Sequence, residues 1–516
     1  MMVASLLTWL LVVIVSRQDI GLGAEGVGIL NTAYAFFGIF SIVSAGMSQA
    51  TSQIVSSKIF DKKVAFEYAR NGTFIIIVTD IVIGIGLIIA SFIIDLPVTF
   101  QHELSSIFFI IGIVMLIAGV RDGIVSNLAA VGEYDDIVKA YTTFPLSQVL
   151  SVIVLLILIK TMTLPVGLIL IVYVVGVIVQ LHFLFKYFRH LWFNTQIFRF
   201  NKVDRRVFGI MRQGFYFAVT NLIPSGIVGS IATIILLIFT QNYQIVGAFS
   251  IILGYSMGGL IVTGFAWPLI TSVAEAYGEN NTEKIHYYLH LIVKIYFYVT
   301  FFTLTLNIGL SRGILSVFHG EIYVTGVTDV WIPFILVISA FAIAGFEYVL
   351  CSVLLGIGKG RIAAIYLGSV FLSTVGFVSL FLGLGFFSPQ INAAVGFLIA
   401  TLVMAPFLPH IVKKNVNETI SFSIGWKSLV ALICTISVAA VLTWPPLMFL
   451  PFNNLGVLIL IAILLTVIYP CVLVFFGAVS EEDFELFERK MEEYGLKKII
   501  SPILNFFRKI ARISPF

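Results

Sequence analysis

Apolar residues run along this chain in blocks of about twenty, broken by short polar stretches. A helix needs about 20 mostly apolar residues to cross ~30 Å of hydrocarbon, because it rises 1.5 Å per residue. Fourteen blocks are candidates by that measure, the first of them short: 1–16, 27–56, 72–94, 105–130, 142–160, 164–187, 213–240, 245–275, 289–312, 330–356, 361–386, 391–412, 424–444 and 451–477. They are too long and too continuous for the strands of an outer-membrane barrel, which alternate over segments of ~10 residues. The pattern predicts an all-α polytopic membrane protein with about fourteen transmembrane helices.

Composition agrees and narrows the classes. Hydrophobic residues make up 59% and charged residues 11% of the 516, against roughly 45–50% and about 25% in globular chains. That leaves too little polar surface for a set of soluble domains and too little polarity for a disordered chain. Cys351, Cys434 and Cys471 lie inside or at the rim of apolar blocks, without the spacing of a zinc site or a disulfide framework. The basic residues orient the chain. With the N-terminus inside, the outer loops hold only Arg17, Lys160 and Arg312 of thirty lysines and arginines, and the largest clusters are Lys58 to Arg70 and Lys186 to Arg212. Both termini are therefore expected in the cytoplasm, with the protein in the plasma membrane. The basic residues then face a membrane, so no nucleic-acid partner is expected. The sequons at Asn71, Asn280 and Asn417 fall on the inner side. The outer loops are short and offer no domain for catalysis.

The blocks also repeat. Shifting the segment from Gly28 to Arg70 by 219 places it on Gly247 to Leu289 without gaps, and a shift of 226 places Leu128 to Gly132 on Leu354 to Gly358. Six helices per copy is an even number, so both copies run the same way through the membrane. Two such lobes are the pattern of rocking-lobe transporters. The expected organisation is an N-lobe at 1–190, a basic cytoplasmic linker at 191–212, a C-lobe at 213–412, two further helices in 413–478, and a cytoplasmic tail at 479–516. Block one is a turn or more shorter than its counterpart, which fits a true start upstream of Met1.

Several motifs dissolve in this setting. Gly21 to Gly26 matches a dinucleotide-binding pattern, but it lies in an outer loop where no strand precedes it. Gly254 to Gly258 matches a nucleophile elbow in mid-span, where small residues serve helix packing instead. His286 and His290 stand one helical turn apart without a third ligand. No catalytic group, metal or cofactor is expected.

Charges inside the blocks carry more weight, since each costs at least ~2.5 kcal/mol if it faces lipid. They are Asp80, Arg121, Asp122 and Glu347. The 226 shift places Arg121 on Glu347 with opposite charge. Each either pairs within its own lobe or joins a cross-lobe bridge that closes the cytoplasmic side. Asn31, Tyr34, Gln49, Gln53, Asn221 and Trp267 are candidates to line a wet cavity, and helix–helix hydrogen bonding is the competing use for them.

The tail differs in kind. Ser480 and Asp483 have the spacing of a helix start, followed by an apolar stripe of Phe484, Phe487, Met491 and Tyr494. Ser501-Pro502 starts a second helix, in which Ile503, Leu504, Phe506, Phe507 and Ile510 oppose Arg508, Lys509 and Arg512. A basic amphipathic helix on the inner face is expected to lie in anionic headgroups, with partner docking as the alternative.

Arg17 with Gly23 to Gly28, Ala45-Gly46, Pro268 to Glu279 with Lys284, and Gly356 to Lys359 together resemble the polysaccharide-transporter branch (O-antigen and teichoic-acid exporters) of the multidrug/oligosaccharidyl-lipid/polysaccharide flippase superfamily. The resemblance implies flipping of a polyprenyl-diphosphate-linked oligosaccharide from the inner to the outer leaflet by alternating access. The glycan and any coupling ion stay open. A cation-coupled multidrug extruder of the same superfamily is the main alternative, with a lipid II flippase or a membrane glycan polymerase behind it. The arginine-rich cavity of lipid II flippases is not reproduced, because the first two blocks offer only Arg17.

Overall fold

The computed structural model describes residues 2–17, 21–58, 61–93, 98–162, 166–190, 194–200, 203–223, 226–256, 266–324, 329–419, 422–443, 454–493 and 497–513. Among these the chain is built of helices, with no strand. Eleven helices are long and apolar enough to cross a membrane, and two shorter apolar ones accompany them. In its described residues, every one of the fourteen apolar blocks overlaps a helix or a helix pair.

The chain packs as two compact units. The first comprises Met1–Gly254, Val327–Pro333 and Gly360–Met404. It holds α1 (Met2–Ser16), α2 (Gly23–Ser57), α3 (Lys62–Ile93), α4 (Val98–Ala130), α5 (Tyr134–Met162), α6 (Ile171–Phe188), α7 (Arg206–Thr220), α8 (Ile227–Thr240) and most of α9 (Tyr243–Ser256). The second comprises Tyr255–Gly326, Phe334–Lys359 and Ala405–Phe516. Its helices are α10 (Ala266–Gly278), α11 (Thr282–Ile314) and most of α12 (Trp331–Gly356). Two later helices, α13 (Gly360–Leu384) and α14 (Pro389–Met404), return to the first unit. The second unit ends with α15 (Phe407–Val416), α16 (Ser423–Thr443), α17 (Leu455–Phe475), α18 (Glu481–Glu493) and α19 (Lys497–Ile513).

The block at 213–240 is two helices rather than one, and α7 starts inside the segment expected as linker. Asn221 caps α7, and Gly226 opens α8 with a φ of 72°. The sequence places Pro224 between them, and a proline cannot donate the backbone bond that would continue the helix.

The repeat is visible in backbone detail. After α4, Gly132 takes φ 85° while Glu133 N–H reaches back to Leu128 O at 3.0 Å. After α12, Gly358 takes φ 75° while Lys359 N–H reaches Leu354 O at 2.8 Å. Both are the same left-handed glycine stop, which satisfies carbonyls that the ending helix leaves unpaired.

Within the first unit α2 crosses α9 at a second equivalent pair, Gly28 and Gly247. A Cβ on Gly28 would lie 1.9 Å from Tyr243 O, and one on Gly247 would lie 1.8 Å from Ala24 O. Only bare backbone fits there. In the second unit the two added helices, α16 and α17, pack on α11 through Leu310, Ala439, Leu458, Ile461 and Leu465. Their outer faces keep Ile433, Val441, Ile459 and Ile463 more than half exposed, as lipid-facing helices should.

Candidate transport pathway and buried charges

The polar positions of α2 form hydrogen-bonded rungs. Gln49 Oε1 accepts from Asn221 Nδ2 at 2.9 Å, and Gln53 Oε1 accepts from Gln213 Nε2 at 2.5 Å, both joining α2 to α7. Nearer the start of α2, Tyr34 donates to Gln148 Oε1 on α5 at 2.8 Å. Tyr34 also stands edge-on to Tyr173, with ring centroids 4.5 Å apart, and Tyr173 donates to Leu30 O at 2.9 Å. These bonds fix α2 against its neighbours.

Some polar atoms in the same unit remain without a partner. The Asn31 amide nitrogen, Thr32 hydroxyl, Gln148 Nε2 and Gln180 Oε1 are buried and make no hydrogen bond. Unpaired polar groups are costly in an apolar interior. Gln148, Tyr173, Gln180 and Gln213 were not singled out in the sequence. The available signal for Gln148 and Gln180 was that each is the one amide side chain of its helix, α5 or α6. Trp267 lies in the first turn of α10, and its side chain is outside the described residues.

The intramembrane charges separate between the units. Asp80 on α3 is fully buried, and Arg121 and Asp122 on α4 are nearly so. Arg121 Nε donates to Asp122 Oδ1 at 2.7 Å, and its guanidinium lies 5.6 Å from the Phe37 ring centroid. Ser48 of α2 donates to Asp122 O at 3.3 Å. Asp80 feels both Asp122 and Arg121 and sits beside Ser44. The Ser44 hydroxyl is turned to Ser41 O at 2.9 Å, and neither Asp80 carboxylate oxygen has a hydrogen-bond partner. Two acids thus face one base. With all three ionised the cluster carries one negative charge in excess, where an uncompensated charge costs about 2.5 kcal/mol or more. This arrangement can take up one proton or one small cation.

Glu347 is fully buried in the second unit, within electrostatic reach of Tyr296 and Cys351. Arg121 is engaged with its own neighbour Asp122. His286 and His290 acquire a companion far along the chain: Glu418 lies 2.9 Å from His286 Nδ1 and 3.6 Å from His290 Nε2. The three side chains gather near the start of α11. Among the described residues no group of three or more His, Cys, Asp or Glu could hold a metal ion.

Solved structures share this fold. An inward-facing multidrug resistance MATE family transporter of the MOP superfamily is 17% identical over 82% of this chain and 96% of its own, with a TM-score of 0.61. The same class captured outward-facing gives 16% identity over 81% and 93%, with a TM-score of 0.50. A MATE protein in a bent conformation is 20% identical over 81% and 94%, with a TM-score of 0.51. No family model matches the sequence, and no curated protein does. The fold defined here is therefore that of the MATE transporters of the MOP superfamily.

Proposed function

We propose that this protein is an alternating-access flippase that moves a polyprenyl-diphosphate-linked oligosaccharide from the inner to the outer leaflet. The observation that carries the reading is a MATE-type fold with two further apolar helices, α16 and α17, seated on α11. The inward-facing neighbour leaves 18% of this chain unmatched. A glycan and a diphosphate cannot cross ~30 Å of hydrocarbon unaided, because their polar groups would lose water without replacement. A polar route lined by residues of the first unit meets that need while the lipid tail stays in the bilayer. The amides and hydroxyls of Asn31, Thr32, Gln148 and Gln180 suit sugar hydroxyls, and Asp80 would take the proton or cation that drives the cycle.

A second reading is favoured by the neighbours themselves, whose names include multidrug resistance: a cation-coupled extruder of amphipathic drugs. One reconstitution separates the two. Proteoliposomes carrying a fluorescent polyprenyl-diphosphate oligosaccharide should show protein-dependent movement between leaflets, quenched from outside by an impermeant reductant. Movement of ethidium-like cations with no effect on the glycolipid would reject the flippase in favour of the extruder.

A further inference from the structure

The C-terminal helix pair is fixed at one end of a membrane span. Val474, in the last turn of α17, is buried in one cluster with Phe484 of α18 and Leu504 of α19, and Phe507, Ile510 and Ala511 pack against that cluster. Polar ties hold the same assembly to the rest of the unit. Lys294 Nζ of α11 lies 2.5 Å from Asp483 Oδ1, and Lys427 Nζ of α16 donates to Gly477 O at 2.8 Å. Because α17 is 21 residues long and apolar throughout, its last turn lies at the boundary between hydrocarbon and water. Docking on that turn sets the height of α19 at the same boundary.

The helix starts at Lys497, four residues before the expected Ser501, and keeps Pro502 within it. It presents three sectors. One, with Leu504 and Phe507, faces α17 and α18. Arg508 belongs to this buried side instead of the basic edge expected for it: its guanidinium meets Glu481 at 2.8 Å and Glu488 at 3.1 Å. Burial lowers the pKa of Arg508, but the hydrogen bond to Glu488 and the charge of Glu481 outweigh it and raise the net value. Its charge is thus spent inside the pair. The second sector is apolar and open: Ile503 and Phe506 are each 51% exposed and Ile513 is 76% exposed. These positions recur at helical spacing along one stripe, bordered by the packed Ile510. The third sector, beside it, carries exposed Asn505, Lys509 and Arg512.

We propose that this open face is a docking surface for anionic phospholipid of the inner leaflet, with Ile503, Phe506 and Ile513 in the acyl boundary and Lys509 and Arg512 on the headgroups. The height of the helix brings acyl chains to the apolar stripe. The two unneutralised bases select the headgroup, since basic residues near a surface are attracted to anionic lipid and repelled by none of the zwitterionic kinds. Charge complementarity therefore names the occupant as lipid rather than a second apolar protein surface.

The test uses the full-length protein in nanodiscs of phosphatidylethanolamine and phosphatidylglycerol, with a photo-crosslinking benzophenone residue placed singly at Phe506, Ile513 or Asn505. Ile463, on the exposed face of α17, serves as the lipid-facing control. Adducts are identified by mass spectrometry. Positions 506 and 513 should capture lipid as efficiently as 463, and 505 should capture little. Phosphatidylglycerol should be enriched several-fold over its mole fraction at 506, and K509Q/R512Q should return it to that fraction. All four positions are exposed and none is part of the core, so folding is preserved. No lipid capture at 506 and 513 while 463 captures it would overturn the proposal. So would capture in proportion to mole fraction in the unsubstituted tail, or crosslinking to a second protein chain.

Discussion

The turn after α4 and the turn after α12 are one turn made twice, whereas the helices leading into them carry opposite chemistry. Gly132 and Gly358 share a left-handed φ and the same backward bond, from Glu133 to Leu128 and from Lys359 to Leu354. Eleven residues earlier in each helix, the first copy places Arg121 and the second places Glu347. The first copy surrounds its base with two acids, Asp122 in direct contact and Asp80 across the α3–α4 seam. The second buries its acid against aromatic and thiol neighbours. Duplication has thus preserved the geometry that ends and stacks the helices, and chemistry has diverged inside it. The two copies share the turn that ends the helix while burying different charges before it, Arg121 with two acids in one and Glu347 in the other.

The largest effect should come from breaking the asymmetric cluster. Asp80→Asn removes the excess charge and leaves the Arg121–Asp122 pair intact, so thermal stability in detergent should hold or rise. Asp122→Asn leaves Arg121 with Asp80 as a substitute partner and should cost little. The double variant strands Arg121 without a counter-charge and should cost about 3–5 kcal/mol, the scale for a buried ion left alone. That non-additivity is the signature of two acids serving one base. Additive single effects would remove the shared-cluster description. Transport should fall by more than tenfold in Asp80→Asn even though the fold is intact. Full activity in that variant would end the assignment of Asp80 to coupling.

Next comes the crossing of α2 and α9, where the two copies meet at equivalent glycines. Gly28→Ala and Gly247→Ala each push a methyl into a backbone carbonyl at under 2 Å, which no side-chain rotation can relieve. Each should destabilise by the ~1–3 kcal/mol of overpacking or more. The two losses should be similar, because each Cβ meets the other helix's backbone. By contrast Gly376 of α13, with nothing within 4 Å of its added methyl, should tolerate alanine. Melting temperatures of the three variants side by side decide it.

Most of the fold was legible because membrane helices announce themselves by length and hydrophobicity, properties local to the chain. The fourteen blocks and the tail's amphipathic stripes needed no tertiary information. What escaped depended on partners distant in sequence. Gln53 looked like a cavity residue, and only packing shows it bonded to Gln213, 160 residues away. His286 and His290 lacked a third group until Glu418 folded beside them. Arg508 reads as a membrane-facing base on a helical wheel, since no periodicity reveals that α18 brings Glu481 and Glu488 to it. The tail helix likewise begins at Lys497 although Ser501-Pro502 has the composition of a start.

The smallest predicted effect returns to the feature the two copies share. Alanine at Gly132 or Gly358 must adopt φ of 85° or 75°, a left-handed conformation that costs an L-residue about 1–2 kcal/mol. Neither position crowds an added methyl, since nothing lies within 4 Å of it, so the penalty is conformational alone. Equal backbone geometry then predicts equal losses of about 1 kcal/mol in thermal unfolding, despite the different helices on either side. Asparagine at the same positions should recover much of the loss, because it tolerates this region better than alanine does. Unequal losses would mean that the turns are similar in outline only and that packing around one of them supplies the difference. Equal losses with rescue by asparagine would leave the divergence between the copies where the structure puts it, in the buried charges of α4 and α12.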